Sequence, residues 1–132
     1  MKELKKGESI SIKYIVKTED VASFEGKVVH NVCSTFTLAR EIEWSSRQFV
    51  IKNKEDHEEG VGTMLTIKHK SPAFVGEEIV IEARVESFAG NELICTYKAM
   101  VGDRLIADGK TGQKVLNKSS LEKIFSKFEG NE

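Results

Sequence analysis

Between Glu78 and Leu116, apolar and polar residues alternate along three successive runs, and the turns between those runs are too short for anything but a reversal of direction. Glu78 to Phe88 puts Ile79, Ile81, Ala83 and Val85 on one face, and Ala89-Gly90-Asn91 turns the chain back. Glu92 to Val101 does the same with Leu93, Cys95, Tyr97, Ala99 and Val101. Gly102-Asp103 turns it again into Arg104 to Leu116. A further run, Thr63 to Lys70, precedes these, with Ser71-Pro72 and Val75-Gly76 turning the chain between. Consecutive strands joined this tightly are antiparallel neighbours, so the second half of the chain reads as one antiparallel sheet.

The first half supplies the layer that covers it. Ser9 to Lys17 alternates, with Ile10, Ile12, Tyr14 and Val16 on one side, and reads as a strand. Thr18 to Lys27 is polar and reads as a loop, and Val28 to Cys33 as a short extended lead-in. From Ser34 to about Lys52 the spacing is helical, with Leu38, Ala39, Ile42, Phe49 and Val50 on one stripe. Ser34 or Thr35 would cap its start, and no Pro or Gly breaks it. The acidic stretch Asn53 to Gly62, ending in Gly60-Val61-Gly62, reads as a loop. In the tail, Ser119 and Glu122 have capping-box spacing ahead of a short helix striped by Leu121, Ile124, Phe125 and Phe128. Strand, long helix and meander make an α+β arrangement within a single domain over residues 1–132, with one helix on one sheet face. The edges of such a small sheet are commonly closed by a second copy.

Charge excludes some partners. With 20 basic and 21 acidic residues the net charge is −1, so no overall basic field draws nucleic acid. The charged Met1-Lys2-Glu3-Leu4-Lys5-Lys6 has no apolar stretch behind it, and no run approaches membrane length, so neither a secretory signal nor a membrane span is expected. Cys33 and Cys95 are too few for a disulfide framework and too far apart for a metal knuckle, which points to a reducing cytoplasm. Asp56-His57-Glu58-Glu59 reads as a solvated acidic loop, not a metal cluster, and no metal is expected.

Four residues stand out as candidates for chemistry. Glu43 borders the buried stripe of the long helix, where it either pairs with Arg47 on the surface or faces the sheet as a poorly solvated acid or base. His69 shares a strand face with Leu65 and Ile67, either as a half-buried strand-end residue or as a proton shuttle. Thr35 lies at the helix entrance, where it serves as a cap or beside N–H groups suited to an oxyanion. Gly62 is a turn glycine or a point of close backbone approach to a substrate. Cys33 has no base at a revealing spacing and reads as a small buried thiol.

Cys33-Ser34-Thr35-Phe36, Glu43-Trp44, Gly60-Val61-Gly62-Thr63, and Ile67-Lys68-His69-Lys70-Ser71-Pro72 with Gly76 resemble, in order and spacing, the fluoroacetyl-CoA thioesterase-like family of hotdog-fold proteins. The resemblance runs from about Val28 to Leu116. It implies a sheet wrapped around a central helix, with an active site near the interface of a homodimer. It implies catalytic roles for Thr35, Glu43 and His69, with Ser34 and Gly62 against the substrate. The expected activity is hydrolysis of a small or medium acyl-CoA, with coenzyme A as part of the substrate and no separate cofactor. The alternative is a non-catalytic acyl-CoA binding or sensing module on the same fold. Val28-Val29-His30-Asn31 carries no aromatic residue, so selectivity for a fluoroacetyl group is not carried over. No His lies in the long helix, so the Asp-to-His helix motif of hydratases on this fold is missing.

Overall fold

The computed structural model describes residues 1–130 and, within them, every side chain but that of Val29. Its chain order is β1 (Ser9–Ile15), β2 (Val21–Phe24), β3 (Lys27–Cys33), α1 (Thr35–Asn53), β4 (Glu58–Leu65), β5 (Lys68–His69), β6 (Glu78–Ala89), β7 (Glu92–Val101), β8 (Arg104–Asn117) and α2 (Lys118–Phe128). The main sheet is antiparallel in the order β1-β6-β7-β8-β4, with β5 also on β8, and β2 and β3 form a separate hairpin.

The alternation seen in the sequence becomes the inner face of this sheet. Ile79, Ile81, Ala83 and Val85 of β6 and Leu93, Cys95, Tyr97 and Ala99 of β7 are all buried. They meet α1 in two clusters. Leu38 and Ile42 in the first half of the helix pack with Ile79, Ile81, Tyr97 and Ile106. Phe49 and Val50 in the second half pack with Leu4, Val85, Leu93 and Val115. The helix therefore lies along a curled sheet, as expected. Among the described residues no helix is long and apolar enough to cross a membrane.

Four local readings are corrected. Within Thr18 to Lys27 the chain forms a one-turn 3-10 helix (Thr18–Asp20) and then β2. Glu25 and Gly26, at φ 52 and 78, make the two-residue reversal that pairs Phe24 with Lys27. Both central residues of such a turn need positive φ, and Glu25 is not a residue type that announces it. The strand expected from Thr63 begins at Glu58, because Glu58 to Gly62 pair with Asn117 to Gln113 of β8. Gly60 is thus a packing glycine: a Cβ there would stand 3.2 Å from Val50 Cγ1 of the helix. That same run splits into β4 and β5 instead of continuing to Lys70. Finally, α2 starts at Lys118 behind Asn117, which makes no side-chain cap bond, so Ser119 sits inside the helix and the expected capping box is not its start. No residue of α2 is buried.

Candidate active site

The geometry begins at the entrance of α1. Ser34 is the N-cap: its hydroxyl accepts the Thr37 N–H at 3.0 Å, and its own N–H donates to the Asp20 carbonyl at 2.8 Å. Ser34 takes the capping role, which leaves the Thr35 hydroxyl free on the first turn. That hydroxyl lies 2.9 Å from His69 Nδ1, although the two residues are 34 apart in sequence.

β5 brings His69 there. His69 pairs with Ala107 of β8, and the next residue, Lys70, donates its N–H to Ile106 O at 2.8 Å. His69 is exposed: at the end of the strand its imidazole reaches the first turn of α1 without being covered as Leu65 and Ile67 partly are. The pairing keeps one register across Thr66 and Ile67, from Leu65 opposite Thr111 to Lys68 opposite Asp108, so His69 keeps the side of the strand that alternation gives it and reaches the helix.

Glu43 occupies a different place. It too is exposed, on the α1 face next to β4, and among the described residues it makes no ion pair. The expected partner, Arg47, instead donates to Gly60 O and to Glu59, each at 3.2 Å. Across from Glu43 is Gly62: a Cβ on that glycine would stand 4.0 Å from Glu43 Oε1. The two residues border a small cavity of about 50 Å³, walled by Ser46, Met64 and the buried Gln113, whose amide donates to Ser46 O at 3.1 Å. Eight residues of helix separate Thr35 from Glu43, about 12 Å along the axis. Within one chain the sequence-derived candidates therefore form two pairs, Thr35 with His69 and Glu43 with Gly62.

A larger groove of about 640 Å³ opens beside Thr35, between the β2–β3 hairpin and the helix entrance. Val21, Phe24, Phe36 and Arg40 line it, and Phe24 and Phe36 are 71% and 79% exposed. Asp20 forms part of its wall. The Asp20 carboxylate is buried and accepts hydrogen bonds from the Tyr14 hydroxyl and, at 2.8 Å, from the Lys17 N–H. Burial, reinforced by the hydrogen bond to Asp20, pushes the Tyr14 hydroxyl up to about 12. In the sequence Tyr14 lies on a strand face and Asp20 in a polar stretch that reads as a loop. Nothing in the local pattern marks the two as partners across six residues. Burial pushes the Cys33 thiol up to about 11, so it stays protonated near neutrality and is a poor nucleophile. Among the described residues no group of three or more His, Cys, Asp or Glu is placed to share a metal ion.

The fluoroacetyl-CoA-specific thioesterase (FlK) family profile matches residues 16–119. The chain is similar over 98% of its length, at 27% identity and a TM-score of 0.92, to 96% of a Thermus thermophilus hypothetical protein described as a thioesterase superfamily member. It is similar over 96% of its length, at 18% identity and a TM-score of 0.87, to 98% of the fluoroacetyl-CoA thioesterase FlK. A hot-dog-like protein from Thermanaerovibrio acidaminovorans matches at 18% identity and a TM-score of 0.87, over 96% of this chain and 94% of that one. No curated protein sequence matches the chain.

Proposed function

The chain belongs to the fluoroacetyl-CoA-specific thioesterase family, a hotdog-fold thioesterase, and from that premise we propose that it hydrolyses a small or medium acyl-CoA with Thr35, Glu43 and His69. The observation that carries the residue assignment is the 2.9 Å approach of Thr35 Oγ1 to His69 Nδ1 at the start of α1.

In this reading the thioester lies in the groove beside Thr35. Its carbonyl oxygen meets the Thr35 hydroxyl and the first free N–H groups of α1, which carry the positive end of the helix dipole. Ser34 holds that turn in shape by capping it. His69, oriented through Nδ1 by Thr35, keeps Nε2 free to give a proton to the departing thiolate. Glu43 removes the proton from the attacking water, or attacks the acyl carbon itself and is then released by water. Gly62, without a side chain, lets the thioester lie close to that carboxylate. Water is the only co-reactant, the products are a carboxylic acid and a free thiol, and no cofactor takes part.

The separation of the two pairs supports a site shared between two copies. One copy's Thr35 and His69 would face the other copy's Glu43 and Gly62 across a homodimer interface. The unpaired side of β4, at the sheet edge, and the half-exposed Trp44 and Ile51 of α1 offer surface for that contact. The buried, unpaired Cys33 and Cys95 fit a reducing compartment such as the cytoplasm.

The test is release of free thiol from acyl-CoAs of graded length by the wild type and by Thr35→Ala, Glu43→Gln and His69→Ala. Each variant should lose on the order of 10²-fold or more in rate. Wild type that turns over an acyl-CoA no faster than its variants overturns the residue roles. Wild type that binds acyl-CoA and leaves it intact for hours points to the binding module instead.

A further inference from the structure

The antiparallel ladder between β4 and β8 stops at Leu65 and resumes at β5, and the two residues between are held in an unusual way. The Thr66 N–H still donates to Lys110 O at 2.9 Å. The Thr66 carbonyl, however, accepts the Tyr97 hydroxyl at 2.8 Å. Tyr97 belongs to β7 and sits opposite Gly109 of β8, so its side chain reaches Thr66 across position 109. Only glycine leaves that path open: a Cβ on residue 109 would stand 2.1 Å from Thr66 O and 2.9 Å from Thr66 Oγ1. The Thr66 hydroxyl is used as well, accepting the Lys110 N–H at 2.9 Å. Three hydrogen bonds and one glycine thus fix the backbone of a single residue between the two strand segments.

β5 lies just beyond this clamp in the chain. It is tied to β8 by the Lys70 N–H to Ile106 O and by the Ser71 hydroxyl, which donates to Leu105 O at 2.6 Å. β5 is only two residues long, and neither Lys68 nor His69 is buried. Packing does not hold the imidazole, so its position rests on the backbone that carries it and on the bond to Thr35. The clamp at Thr66 sets where β5 begins, three residues before His69.

We infer that Tyr97 is the positioning residue for His69: its hydroxyl, reaching over Gly109, turns the Thr66 carbonyl out of the ladder so that β5 delivers the imidazole to Thr35. This rests on the catalytic reading of Thr35 and His69 above. Burial pushes the Tyr97 hydroxyl well above the ordinary tyrosine range, so it remains a donor at any pH where the enzyme works. A tyrosine that merely fills the core would affect stability alone.

The experiment combines kinetics with the nitrogen resonances of the His69 ring, in full-length wild type and Tyr97→Phe. The variant should lower kcat about 10- to 100-fold with little change in KM, since a displaced catalytic group costs rate without removing substrate contacts. The His69 Nδ1 resonance should lose the signature of its bond to Thr35. 4-Aminophenylalanine at Tyr97, which restores a donor, should recover most of both. In a Thr35→Ala background Tyr97→Phe should add no further loss, whereas independent roles would multiply. Gly109→Ala, whose Cβ would stand 2.1 Å from Thr66 O and push that carbonyl off the Tyr97 hydroxyl, should shift both readouts the same way and serves if Tyr97→Phe does not fold. Unchanged His69 resonances in a folded Tyr97→Phe or Gly109→Ala, or losses that multiply with Thr35→Ala, overturn the inference. Wild type without thioesterase turnover overturns the catalytic reading and the proposed role of Tyr97 in it, while the His69 resonances still separate that failure from a failure of the clamp.

Discussion

Two glycines show how differently neighbouring residues of one type act. At Gly60 a Cβ would press within 3.2 Å of Val50 Cγ1 and 3.1 Å of Gln113 Oε1, both buried. Gly60→Ala should therefore destabilise the fold by about 1–3 kcal/mol, read as a lower denaturant midpoint. At Gly62 the nearest atom to such a Cβ is Glu43 Oε1 at 4.0 Å. Gly62→Ala should keep that midpoint and lose turnover, because it adds bulk only where the thioester would lie. Equal stability losses in both would contradict this division. The tyrosines carry a second prediction. The chain has two, and burial raises both above the free value of about 10. As pH rises past that value the unfolded chain gives up the protons first, so stability falls as pH climbs toward the Tyr14 value of about 12. A titration of tyrosinate absorbance should lag free tyrosine and then rise together with the loss of the far-ultraviolet helix signal. Absorbance that rises at the free-tyrosine pH in a folded chain would refute it.

Among the elements, α1 depends on its first turn. Ser34 satisfies the Thr37 N–H and is itself tied to Asp20 O, so one residue connects the helix, the 3-10 turn and the β2–β3 hairpin. Ser34→Ala should cost about 1 kcal/mol of stability. It should lower activity by more than that loss explains, because Thr35 sits on the turn that loosens. A variant with the expected stability loss and wild-type kcat would show that the turn does not need its cap to present Thr35. The extent of α1 was legible in its spacing, since Leu38, Ile42, Phe49 and Val50 are buried as the stripe requires. The β2–β3 hairpin was not, because it turns on positive φ at Glu25, which no residue preference signals. The early start of β4 was hidden for a related reason: Gly60 serves close packing against α1 and β8, and in sequence Gly60 and Gly62 look like turn residues.

The whole molecule decides whether the two pairs act together. If each site takes Thr35 and His69 from one copy and Glu43 from the other, mixing Thr35→Ala with Glu43→Gln, each inactive alone, restores activity. A mixed dimer then holds one site with both partners intact, so a fully exchanged mixture should reach about a quarter of wild-type turnover. No recovery, with exchange of subunits demonstrated, would place all three residues within one chain or remove Glu43 from the reaction. The same variants on a sizing column report whether a dimer forms at all. Local periodicity sufficed for the elements: burial of alternate residues on β6 and β7 and of one stripe on α1 depends on which side chains avoid water, and that information lies within a few residues of each position. The resemblance in motif order added the family and its candidate residues. Tertiary structure alone decided that Thr35 meets His69 while Glu43 faces Gly62. Those contacts join residues far apart in the chain, His69 through the pairing of β5 with β8 and Gly62 through that of β4 with β8, and no pattern confined to neighbouring residues encodes which distant backbones will cross.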